Sequence, residues 1–211
     1  MTKEAELLAF LTKKETLPFV IDILKRGDKI RGLLFNQFMT ELKSYLEGNA
    51  IEGFKDWELT VVDELDDAWA TLYCWNAKLR KENQYLRFAI EPWKGGGRCE
   101  LVVCLEWAND QISSKPKVKN LKSLGQLHDC LKSQGFNRKG STWTFRWQYI
   151  RKADSADEFL ASILDEEKKV SLFRQICDCF WPVVRKTQKM VAAANMEIAK
   201  TGEKLSSEDD E

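Results

Sequence analysis

YLRFAIEPWKGGGRCELVVCLEW, residues 85–107, carries two runs of period two on either side of a glycine-rich joint. Leu86, Phe88 and Ile90 alternate with Arg87 and Ala89. Leu101, Val103, Leu105 and Trp107 alternate with Glu100, Val102, Cys104 and Glu106. Successive strand side chains point to opposite faces, so each run presents one apolar row. The joint, Pro92-Trp93-Lys94-Gly95-Gly96-Gly97, has the residues of a tight turn, and the pair is expected to be an antiparallel hairpin.

The same period extends in both directions. Upstream it reaches back to Trp57, with Trp69, Thr71, Tyr73 and Trp75 alternating with Ala70, Leu72 and Cys74. Downstream, Thr142 to Ile150 sets Trp143, Phe145, Trp147 and Tyr149 on one side, expected to be the core side, and Thr144, Arg146 and Gln148 on the other. Seven of the eight tryptophans fall in this sheet region, so aromatic packing should dominate its energetics. Between hairpin and last strand come a Lys-rich loop, Ser113 to Asn120, and a helix from Leu121 to Ser133 capped by Gly135.

Outside the sheet the period is helical. Glu4 to Lys13 and Leu17 to Lys25 form short amphipathic helices, with Gly27 as a breaker. Ile30, Leu33, Leu34, Phe38, Leu42, Tyr45 and Leu46 then recur at three and four residues, the spacing of one buried helix face. Ser155 and Glu158 make a capping box that opens the C-terminal helices. Their apolar face, from Val170 through Phe173, Ile176, Phe180, Val184 and Val191 to Ile198, crosses Pro182, where a kink or restart is expected.

These elements define an α+β fold: an antiparallel meander sheet rich in Trp, covered by N-terminal and C-terminal helices. One folded domain is expected. It comprises a helical segment at 1–50, the sheet at 51–152 with a helix inserted near 121–133, C-terminal helices at 153–203, and an acidic tail at 204–211 expected to be disordered.

Composition narrows the setting. No apolar run approaches the roughly 20 residues that span a bilayer, and the N-terminus is acidic, so a cytoplasmic protein without membrane contact is expected. The six cysteines, Cys74, Cys99, Cys104, Cys130, Cys177 and Cys179, are scattered through strands and helices. They lack the spacing of a disulfide framework or a zinc site, so buried thiols without metal are expected.

Charge is the sequence's main functional signal. Residues 113–152 hold ten Lys or Arg against one acid, Asp129, within a chain of net charge +0. Residues 52–67 hold seven acids against Lys55 alone. Such segregation sets up a field that the net charge hides. Lys115, Lys117, Lys119, Lys122, Arg138 and Lys139 form an expected basic rim, suited to nucleic acid or to an acidic protein partner. A homo-oligomer in which one copy's acidic segment meets another's basic rim also fits.

Catalytic signatures are absent from the sequence. His128, the single histidine, lies in the 121–133 helix and reads as a half-buried or surface side chain. No phosphate-cradling glycine loop or His-Glu-x-x-His is present, and Gly95 to Gly97 joins strands instead of opening a helix. Acids that could meet around Mg²⁺ are Asp63, Asp67, Glu91 and Glu106.

The run from Leu17 to Leu46 followed by Trp-bearing strands, with residues 85–91 and 99–105, resembles the region downstream of the nuclease core in bacterial and phage PD-(D/E)XK-superfamily proteins. That family's site needs a strand ending Asp/Glu-x-Lys. Glu91-Pro92-Trp93-Lys94 has one residue too many, and Pro92 is expected to stop the strand. The resemblance therefore implies an accessory or degenerate relative from a bacterial or phage conflict, in defence or counter-defence. The expected function is a non-enzymatic interaction module without cofactor or metal, binding an acidic protein or nucleic acid. The alternative is a divergent metal-dependent nuclease of the PD-(D/E)XK type.

Overall fold

In the computed structural model the helix α1 (Gly27–Gly48) precedes strands β1 (Trp57–Glu64), β2 (Trp69–Asn76), β3 (Leu86–Gly95) and β4 (Arg98–Trp107). Helices α2 (Asp110–Ser114), α3 (Pro116–Lys119) and α4 (Lys122–Ser133) follow. Strands β5 (Arg138–Lys139) and β6 (Thr144–Ala153) and helices α5 (Ala156–Leu164) and α6 (Glu166–Lys200) complete the fold. The structure describes the chain except residues 1–5, 7, 8, 12, 17, 20–26, 51–53, 65–68, 80–82, 96–97, 140–143, 154 and 203–211. The expected helices at 4–13 and 17–25 fall largely outside the described residues, and Asp67, Trp143 and the acidic tail lie wholly outside them.

The hairpin has the register its alternation implies, from Leu86 opposite Trp107 to Gly95 opposite Arg98. All pairings are antiparallel, in the order β1-β2-β3-β4-β6-β5. The α+β class with a Trp-rich meander sheet and flanking helices is what the chain adopts. Pro92 does not end β3: it stands opposite Leu101 inside the strand. The β2 pairings stop at Ile90, so Pro92 occupies a stretch that pairs with β4 alone, where a missing N–H breaks no second ladder.

Helices cover one face of the sheet. Leu59, Leu72, Phe88, Ile90, Leu101, Val103 and Leu105 pack there against Phe38 and Leu42 of α1, Phe159 of α5 and Phe173, Phe180 and Val184 of α6. Gly27 is the first described residue of α1, and the helix it was expected to end falls largely outside the described residues. The expected face of α1 is buried only from Phe35 onward, for Ile30 and Leu33 are 38% and 60% exposed. Ser155 accepts from Glu158 N at 3.1 Å as the capping box requires, and Asp165 caps α6 by accepting from Lys168 N at 3.1 Å. The helix α6 runs through Pro182 without a restart, over 35 residues. Its Asn195 ties it to the sheet: the side-chain amide accepts from Leu86 N at 2.8 Å and donates to Leu86 O at 3.1 Å.

Strand β6 has the expected period but the opposite phase. Arg146 pairs with Leu105, Trp147 with Cys104, Gln148 with Val103 and Tyr149 with Val102. Paired residues share a face, so Trp147 and Tyr149 point away from the helices while Arg146 and Gln148 turn toward them. A register shift at Leu105/Glu106 lets Phe145 also reach the covered core, against Trp107. Arg146 is only 4% exposed, and its inward turn is satisfied by Phe136 O at 2.8 Å and by His128 Nδ1 at 3.0 Å. A side-chain acceptor from α4 and a backbone carbonyl just beyond it thus overrode the rule that charge faces solvent.

Candidate nucleic-acid interface

The chain leaves β4 at Trp107 and enters the Lys-rich segment, which is not a loop but two short helices leading into a third. Pro116 opens α3 at a position where its missing N–H is harmless. Val118 and Leu121 anchor the segment on the core, so the neighbouring Lys117, Lys119 and Lys122 are turned outward. Lys117, Lys119 and Lys122 are exposed and make no ion pair among the described residues, whereas Lys115 is half-buried between α2 and α3. The helix α4 ends as expected, with Gly135 in the left-handed region at φ 92. The short strand β5 follows, pairing Arg138 with Trp147 and Lys139 with Arg146. The side chain of Lys139 lies outside the described residues.

Arg138 is exposed, with its guanidinium 5.5 Å from the ring centres of both Trp147 and Tyr149. Those rings belong to the face opposite the one that the described helices cover. Among the described residues, the apolar cluster there contains only strand residues: Tyr73, Ala89 and Cys104, flanked by Val62, Trp75 and Trp147. Trp147 contacts Tyr149 edge-on at 4.7 Å and Trp93 at 4.5 Å, giving a continuous half-buried aromatic row. On the other side Arg87 lies 3.7 Å from the Tyr73 ring centre and 4.8 Å from that of Trp75.

Between the two aromatic groups sits a titratable cluster. Trp93 Nε1 donates to Glu91 Oε2 at 2.6 Å, and the Cys104 thiol donates to Glu91 Oε1 at 3.2 Å. Arg87 pairs with Glu106. Burial, then a hydrogen bond to the Glu91 carboxylate and that group's charge, push Glu106 well above the usual carboxylate range. Burial pushes the Cys104 thiol up as well, reinforced by the two neighbouring acids. One ligand atom from each of Glu91, Cys104 and Glu106 lies within 4.8 Å of the others.

This donor set does not fit the Mg²⁺ ion that the alternative reading, a metal-dependent nuclease, requires. Mg²⁺ takes an octahedron of hard oxygens and keeps several waters. Here the third donor is a thiol that holds its proton, Glu106 is engaged by a guanidinium, and Glu91 is engaged by an indole N–H. Of the other acids in that expectation, Asp63 lies on β1, opposite Ala70 of β2 and two strands from Glu91. Its side chain, like all of Asp67, is outside the described residues. Nor can Cys99 join Cys104, since an odd spacing puts them on opposite faces. Cys177 and Cys179 are half-buried on α6, and burial pushes the Cys179 thiol up to about 11.

Comparison with protein-family models, curated proteins and solved structures gives no match. The functional reading therefore rests on geometry. Sequence patterning found the cations but assigned Trp147 and Tyr149 to the core. The signal that could have corrected it is Arg138, a cation four residues from Thr142 with aromatic faces within reach only if β6 takes the opposite phase.

Proposed function

We propose that the protein is a non-enzymatic interaction module that binds nucleic acid along its β5–β6 edge. Lys117, Lys119, Lys122 and Arg138 face the phosphates, and Lys115 and Lys139 complete the rim. The observation that carries this reading is the separation of charge across the sheet. The acidic strand β1, with Glu58, Asp63 and Glu64, is one edge, and the basic strand β5 is the other. Five interstrand steps of about 4.8 Å separate them by roughly 24 Å. That is about three Debye lengths at physiological salt, so the acids leave the cations unscreened at the other edge. No helix among the described residues is long and apolar enough to cross a membrane.

Nucleic acid is favoured over an acidic protein because ring faces lie beside the cations, and bases offer flat partners to both. The cytoplasmic setting expected from composition, and the role in bacterial or phage conflict implied by the resemblance, belong to this proposal. Reversing the charge of Lys117, Lys119 and Lys122 together should abolish binding of a labelled oligonucleotide while leaving the melting temperature unchanged, since these side chains bury nothing. Retained affinity in the triple variant, or a polyglutamate that competes as well as the oligonucleotide, would contradict the proposal.

A further inference from the structure

We infer that the sheet face opposite the described helices is a stacking platform for unpaired bases, which makes the nucleic acid single-stranded. The inference rests on the nucleic-acid reading above and adds the surface that reads the bases. Its first support is the row Trp93–Trp147–Tyr149, with centroid spacings of 4.5 and 4.7 Å, half-buried on a face whose apolar cluster, among the described residues, is made of strand residues alone. A duplex hides its base faces inside the stack; a single strand presents them to aromatic rings.

Charge supplies the second support. Arg138 sets a guanidinium 5.5 Å from two of the three rings, so a base stacked there has a cation within reach of its phosphate. The carboxyls on the same face would otherwise repel that phosphate. They are masked: Arg87 pairs with Glu106, and Trp93 Nε1 and the Cys104 thiol both donate to Glu91. The Trp93 bond also fixes the indole, which would lower the ordering cost of stacking on it.

The test is fluorescence anisotropy with labelled oligothymidylate and with a duplex of equal length, both at one low salt concentration. The native protein should bind the single strand more tightly. Trp147→Ala should weaken single-strand binding by about tenfold to a hundredfold and leave duplex binding within about twofold. Trp147→Phe, which keeps a ring, should retain most of the affinity. If Trp147→Ala fails to fold, Arg138→Gln serves instead, because that side chain is exposed; it should cost single-strand affinity more than duplex affinity.

Equal binding of both probes, with neither Trp147→Ala nor Arg138→Gln discriminating between them, overturns the platform. The rim reading survives that result if the Lys117, Lys119 and Lys122 reversal still abolishes binding. Failure of the native protein to bind either probe overturns both.

Discussion

Asn195 offers its amide to both backbone groups of Leu86 because β2 pairs with β3 only from Phe88 to Ile90, leaving that edge of Leu86 without a strand. The side chain is 1% exposed, so water cannot replace it. Asn195→Leu should cost about 2–4 kcal/mol, the penalty for stranding a buried donor and a buried acceptor. A loss below about 1 kcal/mol in denaturant unfolding would mean the helix–strand clamp is incidental. Glu106 gives a residue-scale test of electrostatics. Its folded pKa is raised above the unfolded one, so the native state binds its proton more tightly. The resulting stability is present below the unfolded pKa and is lost as pH rises through the folded value. Glu106→Gln keeps an acceptor for Arg87 and a donor for Glu91 but cannot ionise. Its stability should therefore fall less than the native protein's as pH rises above the ordinary carboxylate range. Parallel curves of unfolding midpoint against pH would show that Glu106 titrates normally.

At the scale of elements, periodicity was legible and phase was not. The hairpin of β3 and β4 follows from residues 85–107 because both strands have an unambiguous apolar row facing the helices. Strand β6 has two candidate rows, one aromatic and one bearing Arg146 and Gln148. Only acceptors contributed from elsewhere in the chain, Phe136 O and His128, select the second as the inward one. The same limit hid the site, for Trp147 and Tyr149 read as core until their facing partners, Cys104 and Val102, are known. The Lys-rich segment looked like a loop because its helical turns are four and five residues long, too short for periodicity to register. The inverted phase has a direct consequence. Arg146→Ala should destabilise by about 2–4 kcal/mol, through an orphaned Phe136 carbonyl and the space left behind, while Arg138→Ala should stay within about 0.5 kcal/mol. Thermal melts giving the reverse order would return β6 to the phase its aromatics suggest.

For the whole molecule, a chain with net charge +0 becomes a sheet with an acidic edge and a basic edge. The charge blocks were visible in sequence; their placement on opposite edges depends on the β1-to-β5 order, which no local pattern encodes. Phosphate contacts made by the basic edge release condensed counterions, and each contact to a single strand contributes about 0.7 to the slope of log affinity against log salt. The most direct measurement is therefore oligothymidylate affinity across a salt series. Four contacts, from Lys117, Lys119, Lys122 and Arg138, give an expected slope of about −3, with about 0.7 lost for each of these residues replaced by Ala. A slope near zero, or one that these replacements leave unchanged, would contradict nucleic-acid binding through this edge.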